Sequence, residues 1–121
     1  MPDNVIMLGI EPAAIKFASI DNAAGGAISV VAAVATKQIR VLSAILVASG
    51  AVDASWGDGT ANVFGGTSKI KLDNTGGVGA VGFVLPFNPG GWFQTAAINR
   101  ALILTTSAAV GVCGTISYVE V

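Results

Sequence analysis

The sequence predicts an all-β fold: a single-domain β-sandwich, jelly-roll-like, of seven to nine antiparallel strands. Three observations lead there. The 121 residues suffice for one hydrophobic core and leave no room for a second. Short apolar stretches of period two, rich in Val and Ile, recur at roughly the 8–12-residue spacing of sandwiches and barrels. Most of the sixteen glycines and four prolines fall between those stretches, where turns are expected.

Taken in order, residues 14–20 (AIKFASI) alternate, with Ile15, Phe17 and Ser19 on one side and Lys16 on the other. Asp21-Asn22 and Gly25-Gly26 then mark a turn. Residues 28–34 are apolar on both faces, as expected for a strand buried between two layers. Residues 37–49 form the clearest long strand. Ile39, Val41, Ile45 and Val47 share one face; the other begins with Gln38 and Arg40 and becomes apolar through Leu42, Ala44 and Leu46. The strand is therefore expected to start half-exposed and to end covered on both sides. Ser49-Gly50-Ala51 reads as a hairpin tip, and the return strand places Val52, Ala54 and Trp56 inward, Asp53 and Ser55 outward.

Asp58-Gly59 is a strong turn pair. Beyond it Ser68, Ile70 and Leu72 alternate with Lys69, Lys71 and Asp73, which predicts a strand with one wet face. Asn74-Thr75-Gly76-Gly77 turns the chain. Residues 79–87 read as a strand that Pro86 ends or places at an edge. Asn88-Pro89-Gly90-Gly91 is a loop delivering Trp92 and Phe93. Helix is expected nowhere except about one turn within residues 95–100. Residues 101–106 and 112–121 form a final predicted hairpin around Ala108-Ala109. Residues 45–52 and 103–110 look alike, which is read as convergence on one turn chemistry rather than duplication.

Composition bounds the function. Hydrophobic residues make up 53% of the chain and charged residues 11%, with a mean hydropathy of +0.75. A typical soluble domain carries about 25% charged residues. So much of this surface consists of small residues in water, or is covered by neighbouring proteins. A membrane partner is not expected, because the best apolar run, residues 27–35, falls well short of the roughly 20 residues of a spanning helix. Met1-Pro2-Asp3-Asn4 also lacks the basic start of a secretory signal. The net charge of −1 and the absence of any Lys/Arg run exclude nucleic acid as an expected partner.

Catalytic chemistry is equally poorly served. The chain contains no histidine, the commonest general base and zinc ligand. The lone Cys113 stands in an apolar alternating strand and reads as a small core residue, and a single cysteine fits a reducing cytosol. Asp53, Asp58 and Asp73 with Asn62 or Asn74 offer oxygen ligands, yet their spacing matches no calcium loop, and they read as turn and surface carboxylates. Gly76-Gly77-Val78-Gly79 has no following helix or Lys to make a phosphate cradle. No enzyme activity, cofactor or metal is expected. The aromatics remain: Trp56 reads as core, whereas Trp92 and Phe93, with Phe87 and Asn88 beside them, are either core or the anchors of an interface.

A longer pattern runs through residues 37–121. It opens on Lys37-Gln38-Ile39-Arg40-Val41-Leu42, continues through Ser49-Gly50-Ala51-Val52 and Phe83-Val84-Leu85-Pro86-Phe87-Asn88-Pro89, then Gly91-Trp92-Phe93-Gln94-Thr95-Ala96-Ala97, and closes on Ser117-Tyr118-Val119-Glu120-Val121. It resembles a family of small β-rich proteins and C-terminal domains encoded by tailed bacteriophages and prophages. The resemblance covers residues 37–121, the sandwich body; residues 1–36, an N-terminal extension plus the first strands, lie outside it. It implies a virion component; taken with the low charge, the apolar excess and the missing catalytic groups, the leading expectation is a capsid cement or decoration protein. Such a protein would be made in the host cytoplasm and seated on the capsid exterior as a homo-oligomer, a trimer, with the major capsid protein as partner. A tail, baseplate or fibre protein, with Trp92, Asn88, Gln94 and Asn99 forming a carbohydrate site, is the alternative. An N-terminal extension of this kind is expected to add an edge strand or lie along a neighbour.

Overall fold

A computed structural model describes residues 5–8, 11–66, 69–72 and 81–121, and among these there is no helix. β1 (Val5–Leu8) and β2 (Glu11–Ala14) pair only with each other. The body comprises β3 (Lys16–Asn22), β4 (Gly26–Val31), β5 (Ile39–Ala48), β6 (Val52–Gly57), β7 (Asn62–Phe64) and β8 (Ile70–Leu72). It is completed by β9 (Val81–Leu85), β10 (Phe93–Gln94), β11 (Leu102–Thr106) and β12 (Val112–Glu120). Ten strands form two antiparallel sheets rather than the seven to nine strands expected.

The first sheet runs β3-β12-β5, and its fourth position is shared by two short strands. β9 lies against residues 44–48 of β5, and β10 against Arg40 and Val41. The second sheet runs β4-β11-β6, and β7 and β8 divide its fourth position in the same way. Eight strand positions are thus filled by ten strands. Traced along the chain, β3 pairs with β12, β4 with β11, β5 with β9 and β10, and β6 with β7 and β8. That is one long antiparallel ribbon whose successive rungs fall alternately in the two sheets, the topology of a jelly roll. The predicted fold class therefore stands.

Two expected hairpins are corners instead. β5 and β6 belong to different sheets, as do β11 and β12, so residues 49–51 and 107–111 carry the chain across the sandwich. The two corners lie side by side: the Ser49 amide donates to the Gly111 carbonyl at 2.9 Å, and Gly50 lies against Val110. The third corner, after β3, joins them. Gly25 sits so close to the Ala108 carbonyl that a Cβ would lie 2.7 Å from its oxygen, and its φ of +78° suits glycine. The likeness of residues 45–52 to 103–110 thus reflects two strands that leave their sheets at the same end.

The core fills the space between the sheets. Ala44, Leu46, Val112 and Ile116 from the first sheet meet Ala54, Trp56, Leu102 and Leu104 from the second, and all are essentially inaccessible. Trp56 packs against Phe93 at 5.6 Å between ring centroids, and Phe93 stacks on Phe64 at 4.9 Å. The indole Nε1 of Trp56 is buried with no hydrogen-bond acceptor. An unpaired buried donor costs about 1–3 kcal/mol. Trp56→Phe removes that donor along with some volume, so the loss of packing is partly offset. Urea unfolding is expected to show a net loss below about 2 kcal/mol, small for a truncated buried Trp.

Two strands depart from expectation. In β5 the register against β12 shifts between Ser117 and Tyr118: Tyr118 faces Val41 and Ser117 faces Ser43, so Leu42 has no partner. This bulge reverses the alternation. Ile39 and Val41 point to the core before it, and Ala44, Leu46 and Ala48 after it, which turns Ile45 and Val47 outward. The end of the strand is thus open on one face, contrary to the expected double cover. β4, expected between two layers, is an edge strand whose Ala27 and Ser29 are exposed.

Candidate functional site

The outer face of the first sheet follows from these registers. On β3, Ala18 and Ile20 go to the core and Phe17, Ser19 and Asp21 face out. On β12, Val112 and Ile116 go in, while Cys113 and Thr115 are exposed. The pairs Asp21–Cys113–Val47, Ser19–Thr115–Ile45 and Phe17–Ser117–Ser43 form rungs across three strands, and β9 extends the second rung with Val84. The Ser43 and Ser117 hydroxyls hydrogen-bond to each other, so even the polar rung presents few free groups.

Of the seven large hydrophobic side chains exposed among the described residues, six belong to this sheet and its edge segment. They are Phe17 at 71%, Val84 at 61%, Phe87 at 52%, Ile45 at 49%, Trp92 at 41% and Val47 at 36%. The seventh, Ile98, is on the 95–100 loop. Charge is confined to opposite corners: Asp21 at one end, and at the other Arg40, whose Nε donates to Gln94 Oε1 at 2.8 Å. The outer face of the second sheet is different. There Lys71 and Asp53 pair at 2.9 Å, and Thr105 and Ser29 supply small polar groups, while Ser55, expected outward, is buried beneath Gly65. Solitary exposed apolar residues are ordinary; a contiguous group on one sheet face marks an interaction surface.

The four sequence-predicted interface residues divide. Trp92 and Phe87 are exposed. Phe93, one residue from Trp92, turns inward because neighbouring strand residues face opposite ways, and it is buried in the aromatic cluster. Asn88 builds the turn: its Oδ1 accepts from the Gly90 amide at 3.0 Å, and its Nδ2 donates to the Gly91 carbonyl at 3.2 Å. Gly91, with φ +84°, lies where a Cβ would strike the Arg40 side chain. The Trp92 amide donates to the Val41 carbonyl, and its Nε1 to the Pro86 carbonyl at 2.7 Å. That fixes the ring at the sheet edge, beside a shallow cleft of about 270 Å³ whose one ionisable group is Arg40.

Sequence reasoning missed Phe17, Ile45, Val47 and Val84 as surface residues. Cys113 was expected in the core and is exposed instead, since its neighbour Val112 takes the inward position. The signal for Val84 lay in the strand alternation opposite Leu85; the bulge at Leu42 hid Ile45 and Val47.

The carboxylates form no common site. Asp53 pairs with Lys71, Asp58 is enclosed elsewhere, and Asp73 and Asn74 lie outside the described residues. Among the described residues no three His, Cys, Asp or Glu side chains gather as metal ligands, and no helix is long and apolar enough to cross a membrane. Asp58 has a different role. Its Oδ1 accepts from the Thr60 and Ala61 amides at 3.0 and 2.8 Å, and its Oδ2 from the Ala96 amide at 2.8 Å and Arg100 Nη1 at 3.1 Å. It ties the turn after β6 to the 95–100 loop. Burial alone would raise its pKa, but these donors outweigh that and hold it down at about 2.

The chain is an all-β jelly-roll sandwich with one apolar outer face. No protein-family model, curated protein or solved structure matches it.

Proposed function

We propose that this chain is a structural subunit of a larger protein assembly, a capsid cement or decoration protein of a tailed phage that docks on the assembled shell. The observation that carries the reading is the outer face of the first sheet, where apolar side chains cluster and charge is confined to the corners. The resemblance of residues 37–121 to small phage proteins supplies the assembly. A ligand that binds only the assembled lattice stabilises it by mass action, and repetition on a symmetric surface adds avidity. Trp92 and Phe87, large rings held at the sheet edge, are the anchors expected to dominate the contact with the major capsid protein.

Quantifying the chain in purified virions tests this. A copy number comparable to that of the capsid subunit is expected, and a handful of copies per particle overturns the reading. In a co-sedimentation assay with capsids lacking the chain, Trp92→Ala is expected to weaken binding about 30-fold, matching the ~2 kcal/mol of an aromatic hot spot. Wild-type affinity in the variant would remove Trp92 from the interface.

The exposed Trp92 ring also favours a second reading, a tail or fibre subunit that binds host carbohydrate. Its polar neighbours count against it: Asn88 is spent on its turn, Gln94 on Arg40, and Asn99 Oδ1 on the Thr36 amide. Glycan-array binding that disappears in Trp92→Ala would establish this reading instead.

A further inference from the structure

We propose that the N-terminal strand pair of one copy seats on the apolar outer face of the first sheet of a second copy, linking subunits into a closed ring. The inference rests on the reading of the chain as an assembly subunit and names the occupant of that face. The donor is β1–β2. A two-stranded ribbon does not hold together in water unaided, and β1 and β2 pair with no strand of their own body. Val5–Leu8 is four apolar residues in succession, a pattern that suits a strand covered on both faces.

The link to the body directs the ribbon outward. Only Ile15 separates β2 from β3, whereas the tightest common reversal of an antiparallel strand needs two loop residues. β2 therefore carries on from the start of β3. Lys16 faces Tyr118 on β12, and β12 ends at Glu120, so β12 reaches only the last residue of β2, which it contacts, and among the described residues the rest of the ribbon has no partner strand in the body. The ribbon thus begins at the end of the sandwich, beside the end of β12, and the proposed acceptor is the face of a second copy.

The acceptor suits it. Phe17, Ile45, Val47 and Val84 stand out around the smaller Cys113 and Thr115 of β12, giving a floor with raised apolar sides. The one charged residue of the ribbon, Glu11, is opposite in sign to Arg40 and like in sign to Asp21, so of the two charged corners of that face it favours the Arg40 end. Donor and acceptor are different parts of one chain, so the contact is head-to-tail, and it closes a ring when the rotation from copy to copy completes a full turn.

Cys113, the only cysteine and exposed on the acceptor face, makes a direct test possible. Full-length Met7→Cys is oxidised and run on a non-reducing gel. Disulfide-linked multimers are expected, and they are expected to vanish when Cys113→Ser is added. Cross-links confined to single chains, or multimers that persist without Cys113, overturn the proposal. Light scattering gives a second measure: the wild type is expected as a closed oligomer at micromolar concentration. Deletion of residues 1–14 and, separately, Ile45→Asp are each expected to yield monomers with cooperative unfolding. A monomeric wild type, or a deletion variant that keeps the oligomer, overturns it. Shell binding by a monomeric chain would sink this inference and leave the proposed function standing; rings that ignore capsids would do the reverse.

Discussion

Replacing Asp58 by alanine is expected to lower the stability of the sandwich by about 3–5 kcal/mol, a large share of the roughly 5–15 kcal/mol available to a domain of this size. The loss has two parts. Four charge-assisted hydrogen bonds disappear, and the Thr60, Ala61 and Ala96 amides lose the acceptor that satisfied them. Arg100 also loses its partner, though at 31% side-chain exposure it regains water. Asp58→Asn is the sharper experiment. The amide oxygen can still accept from Thr60 and Ala61, but its NH₂ then faces two donors, Ala96 and Arg100. A drop in melting temperature of roughly 10–20 °C is expected for Asp58→Ala, with Asp58→Asn retaining less than half of the difference. A change of only a degree or two would mean that the loop is held by other contacts.

The same carboxylate makes stability depend on acid. Its pKa lies at about 2 in the folded chain against 3.8 unperturbed. The folded state therefore binds this proton less readily than the unfolded one, and protonation favours unfolding. The contribution is fully present above about pH 4 and is lost as pH falls through about 2. At about 1.4 kcal/mol per pH unit, it is on the order of 2 kcal/mol. Urea unfolding at pH 6, 4 and 2 checks this: Asp58→Asn should lie below wild type at pH 6 and converge towards it at pH 2. A constant gap across that range would assign the acid sensitivity to other groups.

How legible this site was depended on the range of the interaction. Local alternation was readable, and it placed Val52, Ala54 and Trp56 inward as found. Applied more strictly, it also separates Trp92 from Phe93, since adjacent residues of a strand cannot share a face. Asp58 was readable as a turn residue, because Thr60 and Ala61 are its near neighbours. Its bonds to Ala96 and Arg100 cross about forty positions and leave no periodic trace. The corners at residues 49–51 and 107–111 fail for a related reason. A tight turn between two inward-facing strands looks the same in sequence whether the strands pair or part, and only β12 beside β5 and β11 beside β6 decide it. At Leu42 the pattern misleads, because one unpaired residue inverts every later position on its strand.

Gly114→Ala is expected to cost at least about 3 kcal/mol, above the usual range for one added methyl group. Gly114 sits in β12, the strand between β3 and β5, opposite Leu46 on one side and Ile20 on the other. A Cβ built there falls on the carbonyl oxygen of Ile45, well inside contact distance, and 2.8 Å from the carbonyl carbon. The obstacle is backbone, so no rotamer change relieves it; β12 and β5 must separate where their ladder is longest. Gly82→Ala is the matched control. Gly82 is exposed on β9, its Cβ would meet nothing closer than the Leu46 carbonyl at 3.8 Å, and alanine there is expected to change stability by less than about 0.5 kcal/mol. Equal effects in the two variants would show that glycine content, and not the close approach at Ile45, sets the cost. The strain also falls on the apolar face, because Ile45 and Thr115 form one of its rungs. If the proposed assembly role holds, Gly114→Ala chains that still fold at low temperature are expected to lose association before they lose strand content by circular dichroism.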